Sequence, residues 1–122
     1  MIEMTKSVLI VDDQPGIRML LEEVIKSEGF HVLQAVTGEE AIKVVKEKHP
    51  DLMLLDYKLP VKDGIEVIQD LEQDGIHISS VLMSGLAEDE LKDAHQHESV
   101  VEVVAKPFNI QEMKDIIMNL LR

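Results

Sequence analysis

Short apolar runs alternate along the chain with segments whose apolar positions recur at helical spacing. Residues 7–11 (SVLIV) form a continuous apolar run, too short for a buried helix and rich in β-branched side chains, so they read as a buried strand. Pro15 suits the first turn of the helix that follows, and Gly29 marks its end. Residues 31–35 read as a second strand. Thr37 and Glu40 have the spacing of a capping box and open a helix to about Lys48, which Pro50 stops. Residues 51–55 (DLMLL) predict a third buried strand. Asp63-Gly64 turns the chain into a helix that ends near Gly75. Residues 78–83 predict a fourth strand, and a polar helix is expected from about Ala87 to His97. Residues 100–104 (VVEVV) predict a fifth strand, and Asn109 with Glu112 repeats the capping-box spacing before a last helix.

Five β-α repeats predict an α/β fold: a five-stranded parallel sheet flanked by five helices, with the doubly wound, flavodoxin-like order 2-1-3-4-5. Ligands in such sheets bind at the carboxyl ends of the strands, where strands 1 and 3 diverge. The residues predicted there are Asp12 and Asp13 after strand 1, Asp56 after strand 3, Ser84 after strand 4, and Lys106-Pro107 after strand 5.

Composition narrows the chemistry. The 122 residues fit one domain, 1–122, and 45% of them are hydrophobic, enough for a core. The absence of Cys excludes disulfides and thiolate sites. No apolar run approaches the roughly 20 residues of a membrane span, and residues 1–6 do not read as a secretory leader. A soluble, cytoplasmic protein is expected. Twelve basic residues against 24 acidic ones give a net charge of -12, which argues against nucleic acid as a partner. Most of that acidity reads as solubility.

The strand-end carboxylates do not. Two of them about 4 Å apart repel by roughly 4 kcal/mol at an effective dielectric of about 20. Three together require a cation, and an oxygen-only set suits a hard ion such as Mg2+, with Mn2+ as a substitute. Lys106 adds a positive charge and Ser84 a hydroxyl. A carboxylate ringed by such groups can accept a phosphoryl group, so Asp56 is the candidate acceptor. The five His are scattered at positions 31, 49, 77, 95 and 97, read as structural or solvated, and do not form a zinc site.

In sequence, Ile10-Val11-Asp12-Asp13-Gln14, Leu54-Leu55-Asp56, Pro60 with Asp63-Gly64, Ser84 and Ala105-Lys106-Pro107-Phe108 resemble the motifs of bacterial response-regulator receiver domains, in register over nearly the whole chain. The likeness is strongest to the single-domain regulators of the sporulation phosphorelay, through Gln14, Gly16-Ile17-Arg18, Lys58 and the 106–110 run. The resemblance implies a phosphoacceptor that takes part in its own phosphorylation without being a turnover enzyme. Asp56 would take phosphate from the phosphohistidine of a sensor kinase. Asp13 would bind metal directly, Asp12 largely through water, and the Lys58 main-chain carbonyl would be a further ligand. Lys106 and Ser84 would bind phosphoryl oxygens. Gln14, Gly16, Ile17, Leu20, Pro107 and Phe108 would help dock a helical-bundle histidine phosphotransferase, and an aspartyl-phosphate phosphatase is a further possible partner. A monomer is expected.

Only 16 residues follow Lys106, so no effector domain is expected. Val103 stands where shape-switching receivers usually carry an aromatic. Its presence favours a relay that hands phosphate on, the alternative being a receiver that signals by phosphorylation-dependent binding. Lys58 and Leu86, each two residues after a site residue, would flank the phosphoryl group and slow its hydrolysis, the alternative for Lys58 being a solvated surface residue. Three rival readings weaken on the same residues. A flavin protein would need aromatics, which are 2% here. A phosphohydrolase would need a second acid-base group after Asp56. A degenerate receiver would lack the acidic set. Two departures from the family pattern are Ser99-Val100 in place of Gly-Ala and Lys62 in place of Met.

Overall fold

The computed structural model describes residues 5–85 and 88–122. It contains β1 (Ser7–Val11), α1 (Pro15–Ser27), β2 (His31–Ala35), α2 (Gly38–Lys48), β3 (Leu52–Asp56), α3 (Gly64–Gln73), β4 (Ser80–Ser84), α4 (Glu88–His95), β5 (Val100–Ala105) and α5 (Ile110–Leu121). All strand pairings are parallel and the order is β2-β1-β3-β4-β5, as the alternation predicts. β1, β3 and β4 are central, and the apolar runs of β3 and β4 are buried throughout. One core packs Leu9, Val11, Met53, Leu55 and Leu82 against α2 and α3. The other packs Val8, Ile10, Leu54, Val81 and Met83 against Leu21 and Ile25 of α1 and Met113 and Ile117 of α5. Successive strand residues thus feed opposite faces, which is why these runs are apolar at every position.

Element ends differ from the sequence reading by one or two residues. β3 starts at Leu52; Asp51 just before it holds the start of β1 twice, accepting from the Ser7 amide (2.8 Å) and donating its own amide to the Ser7 carbonyl (2.9 Å). It extends to Asp56, which pairs with Met83. β4 begins at Ser80, where a register shift separates Ser80 from Val81. α4 ends at His95, and His97 instead contacts Glu72 (2.8 Å). The expected start of that helix at Ala87 lies outside the described residues. The Thr37 and Asn109 side chains each cap the N3 amide, but neither reciprocal half forms: Glu40 turns back to the Val36 amide instead. The complete capping box is Asp63 with Glu66. On α1 the buried residues are Leu21 and Ile25, spaced i,i+4, with Ile17 packed on the same core. Leu20 is 39% exposed because it stands about 100° from the buried Leu21 around the helix.

Val61, between β3 and α3, is fully exposed with φ of 67°. A β-branched side chain is poorly tolerated there, and this one has no packing to offset the strain. Val61→Gly is expected to raise stability by about 1 kcal/mol. A urea midpoint that stays put or falls would contradict this.

Candidate functional site

Asp12 follows the buried run of β1, Asp56 ends β3 and Ser84 ends β4, so hydrophobic burial of three strands delivers three polar groups to one edge. Lys106 follows β5, and its amide donates to the Ser84 carbonyl (2.8 Å). Gly64 sets the floor: a Cβ on it would stand 2.6 Å from the Asp56 carbonyl oxygen. The first turn of α3 can approach Asp56 this closely only with glycine at that position.

The carboxylates of Asp12, Asp13 and Asp56 offer oxygens all within 4.8 Å of one another. Asp12 is fully buried and Asp56 is 5% exposed, whereas Asp13 is open to solvent. Lys106 Nζ bridges the two buried acids, 2.8 Å from Asp12 Oδ2 and 3.2 Å from Asp56 Oδ2. Asp12 Oδ1 accepts from the Gln14 amide (3.0 Å), and Arg18 holds the Asp12 carbonyl (2.9 Å). Both Asp12 oxygens are therefore engaged, while Asp13 faces outward.

Electrostatics follow from this packing. Burial, and then the nearby Asp12 charge, raise the Asp56 carboxyl above its ordinary 3.8, against the pull of Lys106 and the Lys58 amide. Burial pulls the Lys106 ammonium down, but its hydrogen bond to Asp12 and the charges of both acids outweigh that and leave it above 10.5. One lysine thus only partly offsets two buried carboxylates. An oxygen-only set of three carboxylates with an open side fits a hard divalent cation, and no other such cluster occurs among the described residues. Mg2+ at about 100 times its dissociation constant is expected to add about 2.7 kcal/mol of stability. Asp13→Asn should erase most of that gain in a thermal melt with and without chelator, and an equal gain in the variant would exclude Asp13 as a ligand.

A cavity of about 340 Å3 opens over these groups, lined among others by Asp13, Gln14, Asp56, Lys58, Ser84 and Lys106. The expected metal and phosphoryl residues therefore converge, with the Lys58 amide 3.4 Å from Asp56 Oδ1. Of the expected docking patch only Gln14 lines the cavity. Gly16, Leu20 and Pro107 are exposed, and Ile17 and Phe108 are half-buried against the core. Leu86 lies outside the described residues. Val103 packs on the core beneath β5, and Lys62 pairs with Glu39 (3.2 Å) and with Asp70. The peptide bond between Lys106 and Pro107 is cis.

Sequence reading missed two groups on α4. Ser84 Oγ donates to Glu90 Oε1 (2.6 Å), and Tyr57 Oη donates to Asp93 Oδ2 (3.1 Å). Burial and the Asp93 hydrogen bond push the Tyr57 hydroxyl up to about 12. Glu90 shares a helix face with the buried Ala94, the one signal in the sequence that could have marked it.

Residues 8–118 match the model of the response regulator receiver domain. The chain is 37% identical over 118 residues to sporulation initiation phosphotransferase F of Bacillus subtilis, covering 97% of this chain and 95% of that protein. It is 31% identical to the chemotaxis protein CheY of Halobacterium salinarum, covering 97% and 98% of the two chains. Several other relatives are longer, and the chain spans about half their length. Among solved structures, response regulator TrrA of Thermotoga maritima, in complex with Mg2+-BeF, superposes with a TM-score of 0.83 at 31% identity, covering 96% of this chain and all of that one. With the strand order, the carboxylate trio and the bridging lysine already in place, these likenesses establish that the chain belongs to the response regulator receiver domain family.

Proposed function

We propose that this chain is a relay receiver that accepts a phosphoryl group on Asp56 from a sensor-kinase phosphohistidine and passes it to a histidine phosphotransferase. The observation that carries the reading is the placement of Asp56, buried at the cavity floor between a bridging lysine and two further carboxylates. An Asp56 carboxylate oxygen attacks phosphorus. The P–O bond forms as the P–N bond breaks, and the departing imidazole nitrogen keeps the electron pair and takes a proton from water. No general base is needed, because the ionised carboxylate has no proton to lose. Lys106 and Ser84 donate to phosphoryl oxygens as charge shifts onto them. Mg2+ bound by Asp12, Asp13, Asp56 and the Lys58 main-chain carbonyl would neutralise charge on the transferring group. Onward transfer reverses the order: a neutral imidazole attacks phosphorus, Asp56 leaves as the carboxylate, and the ring gives up its N–H proton to water. Lys58, exposed at the cavity wall, screens the acyl phosphate from water.

The test is incubation with Mg2+ and acetyl phosphate followed by intact mass. A single phosphate adduct is expected on the unsubstituted chain, and its absence would refute the reading.

Similarity to a protein named as a phosphotransferase, and the core-packed Val103, favour relay over shape change. The shape-change reading has support of its own in the hydrogen bonds that join the site to α4. Docking beside the cavity would use Gln14, Gly16, Ile17, Leu20, Pro107 and Phe108. Because Ile17 packs partly on the core, the exposed Leu20 is the cleaner probe. Leu20→Ala is expected to slow transfer to a helical-bundle phosphotransferase about tenfold while leaving acetyl phosphate uptake unchanged. Equal transfer rates would remove Leu20 from the interface.

A further inference from the structure

Two hydrogen bonds connect the reacting edge to α4: Ser84 to Glu90 and Tyr57 to Asp93. Glu90 and Asp93 are three apart and share one helix face. Apart from them the helix has little hold on the body, since Glu90 and Ala94 are its only buried residues among those described.

We propose that Glu90 is a positioning residue that claims the Ser84 hydroxyl proton and thereby opposes retention of a phosphoryl group on Asp56. The inference rests on the reading of Asp56 as acceptor and Ser84 as phosphoryl ligand. A serine hydroxyl has one proton to donate. Here it goes to a carboxylate at 2.6 Å, the short, charge-assisted kind of hydrogen bond. To serve a phosphoryl oxygen, Ser84 must release Glu90. Glu90 is only 7% exposed, and no lysine or arginine of the described residues pairs with it. Once released, it is a buried carboxylate without its donor, which is costly. It also lines the same cavity as Asp56, so it faces the incoming phosphoryl charge directly. Both costs fall on the occupied state. They are relieved when the first turn of α4 moves away and lets water reach Glu90, so the same contact that disfavours phosphate couples its arrival to α4.

Fluoroberyllate, a tetrahedral phosphoryl analogue, gives an equilibrium readout in the presence of Mg2+. Glu90→Gln keeps the side-chain size but replaces a charged acceptor with a weaker neutral one. It is expected to tighten fluoroberyllate binding about tenfold, and Glu90→Ala at least as much. In a Ser84→Ala background the Glu90→Gln gain should shrink to the part left by direct charge repulsion, because the competition runs through that hydroxyl. An equal gain in that background would overturn the proposal by reducing Glu90 to a repelling charge. No gain in either single variant would overturn it too. Amide exchange needs no variant: exchange over Glu88–His95 should speed up when the unsubstituted chain binds fluoroberyllate, and unchanged or slower exchange would count against the proposal. If the unsubstituted chain binds no fluoroberyllate and takes up no phosphate, the failure belongs to the reading of Asp56 instead.

Discussion

Asp56→Asn should take up no phosphoryl group and, without divalent metal, should be more stable than the unsubstituted chain. Loss of uptake follows from the chemistry, since an uncharged amide is no substitute for the carboxylate nucleophile. The gain in stability follows from burial. Asp56 stands beside the fully buried Asp12 with one shared lysine between them, and its carboxyl lies above its ordinary range. An acid raised in the folded state favours unfolding once it must ionise. The penalty is absent below pH 3.8, grows as pH rises from there through the folded value, and is constant above it. The amide never ionises, so the variant should lead by on the order of 1 kcal/mol at neutral pH and lose that lead in acid. Urea midpoints from pH 3 to 8, roughly the span of carboxylate titration, would check this. A variant less stable at pH 7 in chelator would show that Lys106 fully neutralises both acids.

Lys106→Ala should be damaging in both respects. The lysine is the only cation within ion-pair distance of Asp12 and Asp56 among the described residues. Removing one partner of a buried pair typically costs about 3–5 kcal/mol. The lower end applies here, because the lysine side chain keeps 20% of its exposure. Lys106 titrates above 10.5, so its contribution is complete below that pH and is lost as pH rises through the folded value. The gap between the two chains should thus be flat through neutrality and close only in strong base. Phosphate uptake should fall by about a hundredfold or more with the loss of a charged donor to the transferring group. Mg2+ should restore stability in part but not uptake, because a second cation can offset the carboxylates without replacing that donor. Lys106→Met retains the aliphatic stem, and if it matched the unsubstituted chain in stability the buried charge network would carry no weight.

Much of this was readable in advance for a specific reason. β1, β3 and β4 are buried on both faces, so their sequences are apolar without interruption, and the first polar residue at the end of each run must stand at the sheet's edge. Asp12, Asp56 and Ser84 mark themselves in this way. The positions that escaped depend on orientation across elements. Glu90 sits in a strongly acidic helix start, where an inward carboxylate looks like its solvated neighbours Glu88 and Asp89. The reciprocal capping partner also escaped, because Glu40 can reach either Val36 or Thr37 and only the loop path decides between them.

The Asp12–Lys106 hydrogen bond joins residues 94 positions apart. Nothing local holds those two groups together; they meet only after β5 has been laid beside β4 at the far edge of the sheet. During synthesis the acidic residues emerge well before the lysine that balances them. A half-made or misassembled copy thus displays the carboxylates without the charge that offsets them. The charge balance of the site thus becomes a certificate that β5 has docked.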